Sequence, residues 1–197
     1  SPGEISIEKY YEAVGRRKEA VARVRLYTKK LTDKTGEDEA LIFVNNKGRI
    51  GKTTLAFNCA VSFAKNGYKT ALIDLDPQCN LTRLAMGEYF YEKSLFSDTE
   101  KTIYDVLAGV IEGGGDVNLN VKFLPIKASS NLSLLKGDIK LSLYESILMT
   151  AYGLAAAGQR LGYFQTSAID RFLREKGLSE QIDVFVIDTS PSLGILN

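Results

Sequence analysis

The sequence predicts an α/β fold, a mainly parallel sheet flanked by helices and preceded by a small β appendage. Three observations carry that expectation. From Ala40 onward, short apolar runs of strand character alternate with helical patterns, which is how parallel strands joined by crossover helices read. The first run leads into a glycine-bearing loop, Asn46-Lys47-Gly48-Arg49-Ile50-Gly51-Lys52-Thr53-Thr54, that opens a helix. The last, residues 181–188, reads as a buried strand, unbroken in its apolar character over 184–187 and ended by a carboxylate, Asp188.

Taken in order, residues 40–44 read as a buried strand and residues 53–65 as a helix with apolar positions at Leu55, Ala56, Cys59, Ala60 and Phe63. Gly67 supplies a stop, and residues 70–75 a second strand. A helix opens at Thr102, with Ile103, Val106, Leu107 and Val110 as its core face, and Gly113-Gly114-Gly115-Asp116 closes it as a loop. Residues 120–126 read as a strand and residues 139–157 as an apolar-rich, mostly helical stretch. An amphipathic helix over residues 167–176 is stopped by Gly177, and residues 181–188 form a buried strand of parallel type.

The loop at residues 46–54 is built to hold phosphate, in the manner of a P-loop NTPase-like sheet. Glycine lets backbone approach an anion closely, and a helix start directs unpaired N–H groups and the positive end of the helix dipole at it. Lys52 is the residue expected to reach the β/γ-phosphates, and the Thr53 hydroxyl to ligate Mg²⁺. An ordinary Gly/Lys turn is the plainer alternative. Asp74 and Asp76 stand at the carboxyl end of a strand, where side chains of an α/β sheet meet ligands; a solvated turn opened by Asp76-Pro77 is the other reading. Asp188 is placed equivalently, either as a structural strand end or as a carboxylate supporting Mg²⁺ through water.

Lys47 directly before Gly48, with Gly51-Lys52-Thr53 following, resembles the deviant Walker A motif of the ParA/MinD family of partitioning and positioning ATPases. Arg49 stands where that family has a second glycine. Asp74-x-Asp76-Pro77-Gln78-x-Asn80-x-Thr82 resembles the family's second signature, Leu132-Ser133-Leu134-Leu135-x-Gly137-Asp138-Ile139 a segment of a ParA-like subgroup, and residues 181–188 its Walker B strand. Residues 189–194 are similar to its γ-phosphate-sensing loop. The resemblance implies Mg²⁺-dependent ATP binding and hydrolysis, with Gly48, Arg49, Ile50, Gly51, Lys52, Thr53 and Thr54 cradling the phosphates. It also implies that Asp76 orients the attacking water and takes part with Thr53 and Asp188 at the metal. Lys47 would reach the partner's ATP across a nucleotide-sandwich homodimer. A ParB-like DNA-binding partner and non-specific DNA are implied in the same way. Family members continue past Walker B, so the 40–197 domain reads as incomplete at its carboxyl end.

Residues before the loop belong to a different pattern. Gly15-Arg16-Arg17-Lys18-x-Ala20-Val21-Ala22-Arg23-Val24 closely resembles the amino-terminal signature of small-subunit ribosomal protein nine. Alternation over residues 20–26 gives one small apolar face and one partly basic one. That resemblance implies ribosomal RNA contact through Arg16, Arg17, Lys18, Arg23 and Arg25. A solvated, charged hairpin is the other reading, since Glu37-Asp38-Glu39 follows closely and the rest of the ribosomal body is missing. The two patterns meet near residue 40, so the division expected is a β appendage over 1–39 and an ATPase domain over 40–197, in a fused or chimeric chain.

Composition narrows the function classes. With 197 residues and 45% apolar content the chain can build a proper core. A net charge of +1 gives no global drive toward nucleic acid or membrane. Zero histidines exclude a Ser-His-Asp or Cys-His unit and any His-bound metal. Cys59 and Cys79 lie far apart and read as reduced thiols, Cys59 as core filling. Ser1-Pro2-Gly3, without Met, reads as a processed end or an expression remnant. Without a charged-then-apolar leader or a long apolar run, a soluble cytoplasmic protein is expected. Beside the ATPase reading stand an RNA-binding ribosomal-type module and a truncated, inactive nucleotide-binding fold.

Overall fold

The structure, a computed structural model, describes the backbone of residues 10–17, 20–30 and 39–44, and backbone with side chains for residues 51–88, 91–92 and 100–190. Seven strands form one sheet: β1 (Tyr10–Arg17), β2 (Ala20–Lys30), β3 (Glu39–Val44), β4 (Thr70–Leu75), β5 (Leu124–Pro125), β6 (Leu132–Leu135) and β7 (Val184–Thr189). Their spatial order is β1-β2-β3-β7-β4-β6-β5. The central strands β3, β7, β4 and β6 run parallel, β1 and β2 continue the sheet antiparallel from β3, and β5 closes the far edge antiparallel to β6. Helices among the described residues are α1 (Lys52–Lys65), α2 (Asn80–Met86), α3 (Ile103–Ile111), α4 (Leu141–Ala156), α5 (Arg160–Thr166) and α6 (Ala168–Glu180).

Both faces of the central sheet are covered, which is why β4 and β7 are buried at every position and read as unbroken apolar runs. Alternate residues serve opposite layers. Ala71, Ile73, Phe185 and Ile187 pack with α3, α4 and α6 through Val106, Leu107, Tyr144, Leu148 and Phe172. Leu72, Leu134, Val184 and Val186 pack with α1 and α2 through Ala56, Ala60, Ala64 and Leu81. No helix of the described residues is long and apolar enough to cross a membrane.

Several elements differ from the sequence expectation, each for a local reason. On α1 the buried stripe is Ala56, Ala60 and Ala64, while Leu55 is exposed and Cys59 and Phe63 are half-buried. Small side chains at i, i+4 and i+8 let the helix lie close on the sheet. The expected strand over 120–126 shrinks to Leu124–Pro125, because Asn118 turns the chain by accepting from the Asn120 amide and Pro125 lacks an amide for a ladder. Gly177 does not stop its helix. It is buried within α6, and the end comes at Gln181, whose φ of 52° is left-handed, with the Ile182 amide returning to the Gly177 carbonyl. α2 and α5 carry no helix expectation of their own, being seven-residue helices of about two turns with little periodicity to read.

Candidate functional site

Three adjacent parallel strands deliver the site. Asp188 on β7 is in register with Phe43 on β3 and with Asp74 on β4, so the carboxyl ends of the three strands lie side by side. α1 begins there. Its N-cap, Gly51, has φ 77°, a left-handed conformation that glycine adopts without steric cost, and its carbonyl accepts the Leu55 amide. Among the described residues no side chain caps α1 and no acidic residue sits in its first turn. Among the described residues, the first-turn amides of α1 therefore have no side-chain acceptor from the helix itself.

Lys52 and Thr53, the first two residues of α1, both turn to Asp188. The Thr53 hydroxyl donates to Asp188 Oδ2 at 2.6 Å, and Lys52 Nζ lies 3.3 Å from Oδ1. Asp188 is fully buried. Burial pushes its carboxyl above the usual range, while the Lys52 charge and the Thr53 hydroxyl oppose the rise, and the nearby Asp76 charge adds to it. Among the described residues Oδ1 has no hydrogen bond that meets the geometry, and the Lys52 ammonium serves it by charge attraction. A hard oxygen donor with an unmet acceptor, next to a threonine hydroxyl, fits a Mg²⁺ ion, which takes one or two protein oxygens and keeps waters.

Asp76 lies just beyond the end of β4 and is nearly buried, with Oδ1 accepting the Gln78 amide at 2.9 Å. Asp74 is fully buried and takes three donors: the Asp76 amide at 3.2 Å, the Thr82 amide at 2.8 Å and the Thr82 hydroxyl at 2.7 Å. Burial raises its carboxyl to about 7 against the lowering by those Thr82 and Asp76 bonds. Ser190, which follows Asp188 by two residues, donates its hydroxyl to Glu145 on α4.

Of the residues proposed from sequence, Lys52, Thr53 and Asp188 are brought into direct contact, and Asp76 is set near Asp188 without a hydrogen bond to it. Thr54 is exposed on the first turn of α1. Lys47, Gly48, Arg49, Ile50 and Lys18 lie outside the described residues, as do positions 191–194 of the expected sensing loop. Arg16 and Arg17 belong to β1 and Arg23 and Arg25 to β2, with backbone pairs Arg16↔Val21, Arg17↔Ala20, Val14↔Arg23 and Glu12↔Arg25. Thr82, Gly137 and Glu145 were not singled out individually by sequence reasoning. Thr82 and Gly137 each sit in a quoted motif, so a signal existed, but their pairing is tertiary.

Among solved structures, protein DIP2308 from Corynebacterium diphtheriae matches with a TM-score of 0.70 at 28% identity, covering 78% of this chain and 53% of that one. Cobyrinic acid a,c-diamide synthase from Mycobacterium smegmatis, solved with ADP and magnesium, matches with a TM-score of 0.52 at 26% identity, covering 80% of this chain and 52% of that one. The chain is 32% identical over 161 residues to the chromosome-partitioning ATPase Soj of Treponema pallidum, covering 80% of this chain and 51% of Soj. It spans about half the length of such curated relatives. Residues 39–197 match the family model described as AAA domain, and the chain belongs to that family, on its ParA/MinD-type branch.

Proposed function

We propose that the chain is the nucleotide-handling part of a partitioning ATPase, binding ATP with Mg²⁺ at the start of α1, hydrolysing it, and pairing with a second copy across the nucleotide. The convergence of Lys52 and Thr53 on the buried Asp188 carries this reading. The relatives support it, since Soj is named a chromosome-partitioning ATPase and the cobyrinic acid synthase structure contains ADP and magnesium.

In this reading the amides of residues 48–54 and the Lys52 ammonium bind the phosphates, with Lys52 exchanging its contact with Asp188 for the β/γ oxygens. Thr53 and Asp188 would hold Mg²⁺. The ion, when bound, neutralises charge developing on the phosphate oxygens. Asp76 takes a hydrogen bond from the attacking water and orients it. Lys47 reaches the nucleotide of the second copy, and a ParB-like protein and DNA are the partners the family reading gives.

Calorimetric titration of ATP with Mg²⁺ or with EDTA tests the reading. Binding that EDTA weakens in the wild type, and that Asp188→Asn makes insensitive to EDTA, is the expected result. Equal affinity with and without Mg²⁺ in the wild type would remove the metal role of Asp188. For residues 15–25 the proposal is RNA contact, supported by the ribosomal-type motif. Salt-sensitive RNA binding lost in an Arg16→Ala/Arg17→Ala double variant is expected, and RNA affinity unchanged by that variant would end the proposal.

A further inference from the structure

We infer that Asp74 and Thr82 are positioning residues for Asp76: their buried junction with Gly137 holds the loop that carries Asp76 and fastens it to the turn before α4. The catalytic consequence rests on the proposed ATPase reading, whereas the junction rests on geometry alone.

Asp74 and Thr82 are both fully buried. One carboxylate oxygen of Asp74 accepts the Asp76 amide, and the other accepts both donors of Thr82, eight residues on. The Thr82 hydroxyl in turn accepts the Gly137 amide at 2.9 Å. Three segments distant in sequence, the end of β4, the first turn of α2 and the 136–138 turn, thus meet on one side chain. Contact is so close that a Cβ on Gly137 would lie 2.9 Å from the Asp74 carboxyl carbon and 3.1 Å from Cys79 Sγ.

Beyond Gly137 the connection continues. The Lys136 carbonyl accepts the Ile103 amide at 2.9 Å, and Asp138 accepts the Thr102 hydroxyl at 2.9 Å, tying in the start of α3. On the other side, the chain between Asp76 and Thr82 is pinned at both ends. It makes a tight turn in which the Cys79 amide returns to the Asp76 carbonyl and Cys79 takes a left-handed φ of 54°. A buried carboxylate is costly unless its acceptors are met, and here they are met by donors from the very loop that bears Asp76. An apolar residue at position 74 would leave the Asp76 and Thr82 amides without that acceptor. The arrangement therefore sets where Asp76 can stand relative to Asp188 on the neighbouring strand.

Thr82→Val removes the hydroxyl at nearly constant shape, and Thr82→Ser restores it. With Val, amide hydrogen exchange at Gln78 and Gly137 is expected to quicken about tenfold, the scale of one lost buried hydrogen bond, while Leu72 and Val186 in the central strands keep wild-type rates. The turnover number kcat for ATP is expected to fall about tenfold with the Mg·ATP dissociation constant changed less than about twofold, and Ser to recover both readouts. Unchanged exchange at Gln78 and Gly137, or equal acceleration at Leu72 and Val186, overturns the junction. Unchanged kcat in the Val variant, or parallel loss of kcat and affinity, overturns the positioning role. A wild-type chain without affinity for Mg·ATP counts against the nucleotide reading instead, and the exchange pattern still decides the junction.

Discussion

Two side chains converge on Asp188, a carboxylate with no exposure: one oxygen accepts the Thr53 hydroxyl and the other faces Lys52, without a hydrogen bond among the described residues. Burying such a group is costly unless it is paired, and the pairing here comes from two consecutive residues at a helix start. If the Thr53 oxygen also serves Mg²⁺, its loss acts only when the ion is present. Thr53→Val is expected to weaken ATP binding about tenfold in Mg²⁺ and hardly at all in EDTA, by titration calorimetry under both conditions. Lys52, Thr53, Asp76 and Asp188 were legible in the sequence because each stands at a strand end or helix start, where its position follows from the element order. Thr82 and Gly137 were not, since the bonds from Gly137 to Thr82 and from Thr82 to Asp74 depend on how β4, α2 and the turn before α4 fold together.

At the scale of elements, close approach governs the helical layer. α4 and α5 touch at Gly162, where a Cβ would fall 2.2 Å from the Ala155 amide nitrogen and 2.5 Å from the Ala151 carbonyl oxygen. Gly162→Ala is expected to destabilise the fold by about 3 kcal/mol, through the forced separation of two backbones, as measured by urea unfolding. Arg171 joins α6 to the loop after α3: its guanidinium pairs with Asp116, donates to the Phe164 carbonyl and lies over the Phe164 ring. The Arg171 hydrogen bonds first, and then the Val117 amide, hold the Asp116 carboxyl below its ordinary value. A depressed carboxyl stabilises the fold above its unfolded pKa and loses that contribution as pH falls through the folded one. Asp116 is exposed, so the effect on stability is small. NMR titration should find Asp116 below the usual range in the wild type and back within it in Arg171→Ala. The sequence marks α1 and α3 through helical periodicity, and β4 and β7 as apolar runs buried on both faces. It overran at 120–126 and stopped short at Gly177, because an Asn118 side-chain turn and a glycine buried in a helix are decided by tertiary contacts.

Across the whole molecule, the sheet brings the start of the chain and its last described strand together. β3 and β4 flank β7, so the strand carrying Asp188 takes its ladder bonds from two segments distant in sequence. Phe185, the second residue of β7, is fully buried against Phe123 and the helical layer. Phe185→Ala is expected to cost about 3–5 kcal/mol, read from the shift in a denaturant midpoint. The alternation of strands and helices gave the parallel centre of the sheet, and the register of β1 and β2 shows that the first strands extend the same sheet. That extension could not be read from periodicity, which fixes which residues share a face and says nothing of which neighbour a strand takes. The α1 start and Asp188 are proposed to form a Mg·ATP site. Its most direct test is calorimetric titration of Mg·ATP into the wild-type and Lys52→Ala proteins, with saturable binding expected in the wild type and an affinity at least about tenfold weaker in the variant. A wild-type protein that takes up no nucleotide, or a Lys52→Ala protein that binds it as tightly as the wild type, would contradict the account.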